Sequence, residues 1–369
     1  MQKEIIKNQI NNYIELAKQY NSSLTLILVA NVEGKATIFD DYQNTSVLSE
    51  YFTLEEYETL SRTYKKLGYE VLSYFSEDAF MSAILNQKIP IDNKKILVIN
   101  SAQTGTYIGR KSLIPAFCEH FKIMHTGSNP YVVSLCRDKF HSDIIINKCI
   151  DTHMDTYLFS ATDGWLDDKL PPIGTKLIAK LNGESASIGL SSNNIFVYTE
   201  DTENYLYQLS MQYMQPIVVQ SFIFGYELEL PMIIDSKILP LIAAGIKMYG
   251  TEILGEKFLD YNTRLSHTYD FYNFDNFSPS LSIKVKANAK KAAKILGIEG
   301  FGRIDFRITP SGECYVSDIA TNPHITEDSS FAFAFQELGY SYSEMLATQI
   351  GITLSKYLTT TNENYISLQ

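Results

Sequence analysis

Residues 24–30 read Leu-Thr-Leu-Ile-Leu-Val-Ala, a near-continuous apolar run of the kind found where a strand is buried on both faces. Its surroundings narrow the fold further. Before it, Ile5, Ile6, Ile10, Tyr13, Ile14 and Ala17 recur at helical spacing across residues 3–20. After it, Thr53 is placed as an N-cap with Glu56 three residues on, opening a helix that runs to Leu67 and closes at Gly68. Residues 69–74 return as a strand, and residues 94–100 form another buried one. Strand, helix, strand in this order predicts a parallel sheet covered by helices, an α/β start to the chain.

Farther along, Asn129-Pro130 offers a polar cap followed by proline in the first helical turn, predicting a helix over residues 130–147. Residues 177–180 read as a short strand ending in Lys180, and a loop of small and polar residues, 182–189, follows it. Residues 217–224 and 227–234 are apolar and β-rich, and residues 287–296 form a helix closed by Gly297. The segment 261–277, rich in Tyr, Phe, Asn and Asp, lacks periodicity and reads as a functional loop or lid, with Arg264, Tyr269 and Tyr272 as candidate substrate or phosphate contacts.

Length and composition exclude several classes. A chain of 369 residues has room for two or three domains, and 45% hydrophobic with 20% charged residues is ordinary for a soluble globular protein. A formal charge of −11 argues against a nucleic-acid partner bound through phosphate neutralisation. No run of about 18 apolar residues and no charged-then-apolar leader occurs, so no membrane association is expected and a cytoplasmic location is the default. Cys118, Cys136, Cys149 and Cys314 lack metal-site spacing and read as small buried thiols.

The chemistry gathers near the C-terminal end. Arg303 and Asp305 share one face of an alternating segment, and after a turn at Pro310-Ser311-Gly312 a second alternating run delivers Asp318. Two carboxylates and a guanidinium on a hairpin suit Mg²⁺ carried by a nucleotide, whereas an ordinary hairpin with a wet acidic face is the bland reading. Upstream, Lys139 lies on the helix after Pro130 and Lys180 ends a strand; each alone is an ordinary surface lysine. The loop Gly183-Glu184-Ser185-Ala186-Ser187-Ile188-Gly189 is small enough to cover phosphates with backbone N–H groups. Glu227, after a buried strand and a glycine, could accept hydrogen bonds from a ribose.

Taken in order, these pieces resemble the ATP-grasp superfamily, and within it the D-alanine–D-alanine ligase-like family, over roughly residues 96–329. Residues 109–115 through Tyr131 to Lys139 are similar to the family's helix, strand, Thr-Gly-Ser turn and Asp-Lys helix. Lys180-Leu-Asn-Gly-Glu-Ser-Ala-Ser-Ile-Gly189 is similar to its phosphate loop, residues 218–227 to its adenine-bordering strand, and residues 302–306 with 318–329 to its metal and acyl-transfer region. The resemblance implies an α/β fold of ATP-grasp α+β type. It comprises an N-terminal parallel-sheet domain (1–134) followed by two α+β subdomains (135–216 and 217–369) that clamp ATP. It implies ATP-dependent joining of a carboxylate and an amine through an acyl phosphate, with ATP and Mg²⁺ as cofactors and Mn²⁺ as an alternative metal. Lys139, Lys180, Glu184, Ser185, Ser187, Gln220, Ser221, Phe222, Ile223 and Glu227 would then bind the nucleotide. Asp305, Asp318 and Asn322 would hold metal. Arg303 and His324 would serve the acyl step, and Ser329 would bind an acceptor carboxylate.

The departures are as informative. Asp318-Ile319-Ala320 stands where the family has Glu-x-Asn, His324 where it has Gly, and Ala186 where it has Ser. The family's Gly-Gly-x-Ser-x-Glu turn after the first strand is absent; Asn31-Val-Glu-Gly-Lys35 occupies that place, with Glu33 as the nearest carboxylate. A donor other than D-alanine is therefore expected, with amino acids or peptides as substrates. The alternatives are a D-alanine–D-alanine ligase and a nucleotide-binding protein without turnover. The N-terminal helix and early strands could also build a homodimer surface.

Overall fold

A computed structural model describes residues 2–38, 40–89 and 95–359. Lys94, placed above at the start of a strand, and the end of the third expected domain, residues 360–369, lie outside the described residues.

Among the described residues three sheets appear in chain order. The first contains β1 (Leu24–Ala30), β2 (Glu70–Tyr74), β3 (Lys95–Ser101) and β4 (Met124–His125), all parallel, in the order β2-β1-β3-β4. The second contains β5 (Thr156–Ser160), β6 (Gly164–Trp165), β7 (Lys176–Leu181), β8 (Ile195–Val197) and β9 (Ile217–Ser221), antiparallel, in the order β6-β5-β9-β7-β8. The third is built on β10 (Gly225–Ile234), with β11 (Ile238–Pro240), β12 (Ala244–Met248), β13 (Ile253–Gly255), β14 (Tyr269–Asn273), β15 (Gly300–Ile308) and β16 (Cys314–Ala320). Its main path runs β14-β12-β10-β15-β16. The helices are α1 (Gln2–Tyr20), α2 (Leu54–Lys66), α3 (Glu77–Leu85), α4 (Leu113–His120), α5 (Pro130–Arg137), α6 (Lys139–Ile146), α7 (Thr202–Tyr213), α8 (Tyr261–Leu265), α9 (Phe274–Phe277), α10 (Pro279–Leu296), α11 (Ser330–Leu338) and α12 (Tyr342–Thr359).

Strand β1 is buried along its whole length, and alternation divides it between two cores. Leu24, Leu26, Leu28 and Ala30 pack with α1, α2, α11 and α12, while Ile27 and Val29 pack with Phe80, Ile114 and Cys118. Thr53 and Glu56 form the full capping box on α2. On α1, Ile6, Ile10, Tyr13, Ile14 and Ala17 are buried but Ile5 is 49% exposed, because it falls beyond the edge of the stripe that α12 covers. Cys118, Cys136 and Cys314 are buried and Cys149 is partly exposed; all four are free thiols.

Three expectations need correction. The helix expected over 130–147 is two helices meeting at Asp138, whose extended backbone (φ −80°, ψ 97°) ends α5 and caps α6. The break is held from outside: Asn182 Nδ2 donates to Asp138 Oδ1 at 3.1 Å, and the Lys139 N–H donates to the Asn182 carbonyl at 3.2 Å. The helix expected over 287–296 begins at Pro279 in its first turn. Residues 261–277 are not a loose lid, since β14 pairs antiparallel with β12 from Ala244↔Asn273 to Met248↔Tyr269. Tyr272 lies against Gly245 and Phe277 in the core beneath the third sheet, so its role as a substrate contact falls away.

Candidate active site

The second and third sheets and the 3₁₀ turn at Val47–Glu50 of the N-terminal part enclose a cleft of about 510 Å³. Of the residues singled out from sequence, Lys139, Lys180, Glu184, Ser185, Ser187, Gln220, Ser221, Phe222, Ile223, Glu227, Arg303, Asp305, Asp318, Asn322, His324 and Ser329 all line it. Residues spread over 190 positions of sequence thus share one cavity, because each sits on a strand, turn or helix end that faces it.

The hairpin forms, but a register shift between Asp305 and Phe306 interrupts its alternation: Arg307 pairs with Tyr315 and Phe306 with Val316, and beyond the bulge Asp305 lies opposite Asp318 and Arg303 opposite Ala320 across β15 and β16. Arg303 grips Asp305 bidentately, Nε to Oδ1 and Nη2 to Oδ2 at 2.8 Å each, while its Nη1 lies 2.8 Å from Glu229 Oε2. Lys139 Nζ donates to Asp318 Oδ1 at 2.7 Å. Burial raises the Asp305 carboxyl, with Glu229 and Asp318 adding repulsion that Arg303 only partly offsets. Asp318 is lowered: burial works against its charge, but Lys139, Lys180 and Arg303 prevail. Among the described residues no three carboxylate, His or Cys groups form a ready metal cage. Two carboxylates that crowd each other fit Mg²⁺ nonetheless, since that ion is commonly held by one or two carboxylates together with substrate phosphates.

Lys180, at the end of β7, reaches across to the third sheet and donates to the Ser317 carbonyl at 3.0 Å. Burial and the nearby Lys139 lower its pKa. Glu227 Oε2 accepts from Arg307 Nη1 at 2.7 Å, and Arg307 also donates through Nε to the Ile223 carbonyl at 3.0 Å and lies over the Phe222 ring. This clamp fixes residues 222–227 as one border of the cleft. Gln220 donates to Asp143, whose carboxyl burial pushes up to about 7 although Lys180 and Lys139 pull it down; Gln220 Oε1 has no hydrogen-bond partner among the described residues.

The loop after β7 has consecutive residues, Ala186 and Ser187, in left-handed conformation (φ 52° and 57°). For non-glycine residues such conformations cost roughly 1–3 kcal/mol each, and contacts on both sides of the loop hold them. Ser187 Oγ donates to the Leu259 carbonyl at 2.6 Å. On the other side, Ser185 and Glu184 enter an ion network that sequence reading missed. Glu184 Oε1 accepts from Tyr42 and Arg110 at 2.9 Å each, and its Oε2 accepts from Arg110 at 2.8 Å and Arg137 at 3.2 Å. Glu50 Oε2 accepts from Arg110 at 2.9 Å, and Glu50 Oε1 accepts from both Arg137 Nη groups at 3.3 Å and from Ser185. Lys111 Nζ donates to Ser185 Oγ at 3.1 Å and lies 3.5 Å from Glu50 Oε2. The Glu184 carboxylate therefore faces arginines, and its geometry is that of a loop anchor.

His324 stacks on Phe52 (centroids 4.3 Å apart), with Nε2 3.9 Å from Glu56 Oε1. Burial disfavours the charge on Glu56, yet His324 and the Thr53 N–H hold its carboxyl at about 2. Ser329 caps α11, accepting from the Ala332 N–H at 3.3 Å, and donates to the Thr326 carbonyl at 2.7 Å. Asn322 and Glu33 line the cleft, Glu33 on its solvent-exposed rim. Glu229 is the one missed residue with a local signal: it follows Glu227 at strand spacing and so faces the same way.

Residues 172–351 match the family model described as D-ala D-ala ligase C-terminus. D-alanine–D-alanine ligase B of Clostridium perfringens is 25% identical over 277 residues, spanning 74% of this chain and 86% of that protein. The D-alanine–D-alanine ligase of Thermotoga petrophila is 25% identical over 307 residues, 80% of this chain and 90% of that one. Among solved structures, a D-alanine–D-alanine ligase from Bacillus anthracis complexed with ATP superposes with a TM-score of 0.66 at 17% identity, covering 90% of this chain and 97% of that one. The VanG D-Ala:D-Ser ligase of Enterococcus faecalis gives 0.64 at 15% identity, covering 90% and 99%.

Proposed function

Because the chain belongs to the D-alanine–D-alanine ligase-like family of ATP-grasp enzymes, we propose that it joins two amino acids, or an amino acid and a peptide, at the cost of ATP. A donor carboxylate oxygen attacks the γ-phosphorus as the bond to ADP breaks, giving an acyl phosphate and ADP. The acceptor amine then attacks the acyl carbon, phosphate departs with the C–O bond, and the nitrogen loses a proton to leave an amide.

The observation that carries this reading is the convergence, in one cleft, of Lys139 and Lys180 beside Asp318, with Arg303–Asp305 opposite and Glu227 on the nucleotide border. The two lysines would hold phosphates as point charges, and Glu227 would accept from a ribose. Asp305 and Asp318, with Asn322 near, would hold Mg²⁺, which supplies charge neutralisation to phosphoryl transfer. Arg303, held in place by Asp305 and Glu229, would face developing negative charge at the acyl centre. Loss of one such donor typically raises a barrier by about 3–4 kcal/mol. Ser329 at the start of α11 is the proposed contact for an acceptor carboxylate. We read the domain limits as 1–134, 135–216 and 217–369.

The donor in this reading is not D-alanine. Supporting it are the absent Gly-Gly-x-Ser-x-Glu turn, Ala186 without a hydroxyl, and two glutamates at that end already engaged by Arg110 and Arg137. The second reading, a D-alanine–D-alanine ligase, is favoured by what the similar proteins are called. ADP release measured across a panel of donor and acceptor pairs separates the two. Release that needs two substrates and excludes D-alanine as donor supports the first; turnover with D-alanine alone establishes the second. ATP binding with no turnover for any pair overturns both.

A further inference from the structure

The end of the cleft where the loop after β7 meets the Val47–Glu50 turn carries surplus positive charge. Among the described residues, Arg110, Lys111 and Arg137 form ion pairs there with two carboxylates, Glu50 and Glu184. Both carboxylates are saturated, since each oxygen already receives arginine donors, with Tyr42 and Ser185 adding further bonds. Both arginines, in contrast, retain an Nε group that is buried and has no acceptor among the described residues. The uncompensated cation is Lys111. Its side chain keeps 16% exposure, it lines the cleft, and its closest partners are a neutral hydroxyl and a carboxylate oxygen 3.5 Å away. Burial, with repulsion from Arg137 and Arg110, pushes the Lys111 ammonium down to about 7 even though Glu50 favours its charge. A buried cation in surplus is satisfied by an incoming anion, which restores its charge and supplies acceptors.

Building on the ligase reading above, we propose that the acyl donor carries a second anionic group, a carboxylate, which Lys111 and Arg137 hold at this end of the cleft. The donor class is thus a dicarboxylic or acidic amino acid. An amine at the same point would meet three cations, and the two carboxylates paired with them, Glu50 and Glu184, are already engaged. One carboxylate of the donor lies toward Asp318 and Lys139 for phosphorylation, and the other toward Lys111.

The test uses the full chain with ATP, Mg²⁺ and a fixed acceptor amino acid, and reads donor-dependent ADP release. D-glutamate, D-aspartate and succinate are compared with D-alanine and D-serine. The acidic donors are expected to give kcat/KM higher by at least about tenfold, the factor one charge-assisted hydrogen bond supplies. Lys111→Met should collapse that ratio, and Lys111→Arg, which keeps the charge, should retain most of it. Thermal melts of both variants confirm that the fold persists. Preference for neutral donors in the unmodified protein, or an unchanged ratio in Lys111→Met, overturns the proposal while leaving the ligase reading intact. No turnover with any donor overturns both together.

Discussion

Glu50 ties three segments together, and its removal has a calculable consequence. Its side chain is 3% exposed, and its carboxylate receives Arg110, both terminal nitrogens of Arg137, and Ser185, with Lys111 close by. Burial disfavours its charge, but Arg137, Lys111 and Arg110 hold its carboxyl well below the usual range. Glu50→Ala leaves Arg110, Arg137 and, to the extent that it stays protonated without Glu50, Lys111 facing Glu184 alone. Taking one partner from a buried ion network costs about 3–5 kcal/mol, because the remaining charges stay desolvated. Removing one cation as well, in Glu50→Ala/Lys111→Met, restores the original imbalance of one. The double variant should recover about 1–2 kcal/mol of the loss, within the range found for directly coupled neighbours. Equilibrium urea unfolding followed by fluorescence reads this directly: Trp165 is the only tryptophan, and it packs in the same core as Val47 and Tyr51, which flank Glu50. The depressed pKa also sets a sign. The stabilisation from Glu50 is fully present above its unfolded value near 4.5 and disappears as pH falls toward the folded value, so the two variants should converge on the unmodified protein in acid. A loss below about 1 kcal/mol at pH 7, or a double variant no more stable than the single one, refutes this account of the network.

Lys180→Ala should weaken ATP binding by about tenfold to a hundredfold, measured by calorimetry, since the hydrogen bond its ammonium makes among the described residues is to a backbone carbonyl; unchanged affinity removes its role. Gly225→Ala should destabilise the fold by about 3 kcal/mol or more in thermal melts. Gly225 has φ 150°, and an added Cβ would sit 1.9 Å from the Ile308 carbonyl oxygen, splitting β10 from β15 beside Glu227. The KM of an acidic donor should rise as pH passes about 7, by up to about tenfold per unit, because Lys111 loses its proton there while Arg110 and Arg137 stay charged and Glu50 and Glu184 stay engaged. Lys111→Arg should flatten that rise in the pH profile.

How much of this could be read beforehand depended on whether the signal was local. Strand β1 announced itself because burial on both faces demands apolar residues at both parities, and α2 because a capping box lies within four residues. The hairpin was legible as two strands and a turn, and alternation puts Arg303 and Asp305 on one face, but the register shift that brings Asp318 opposite Asp305 had no local signal. Strand β14 was not, because Tyr269 to Asn273 lacks alternation and is fixed by pairing to β12 and packing on Gly245. The helix break at Asp138 is imposed by Asn182, 44 residues away. The ion network is the extreme case. Glu50 ends a 3₁₀ turn in a polar stretch, Arg110 and Lys111 begin another turn, and Arg137 ends α5. Nothing within any one window says that these ends meet.

The cleft has two electrostatic ends, and their difference gives the sharpest test of what the donor end selects. At the hairpin end three cationic side chains, Arg303, Lys139 and Lys180, stand with three acidic ones, Asp305, Asp318 and Glu229, so that a metal and phosphates of opposite sign can both enter. At the other end the set carries one surplus positive charge, on Lys111, while that side chain is protonated. Charge at that single position should therefore decide which donors are used, while the reacting end stays as it is. Lys111→Gln should bring acidic and neutral donors to within about threefold of each other, and Lys111→Glu should favour D-alanine over D-glutamate, because the local set then carries a net negative charge that repels a second carboxylate. The measurement is kcat/KM for D-glutamate against D-alanine in the unmodified protein and both variants. A monotonic shift from Lys through Gln to Glu supports the electrostatic account. If D-glutamate keeps its advantage with Glu at position 111, the donor's second anion is held elsewhere and the surplus charge on Lys111 serves only to anchor the loop at Ser185.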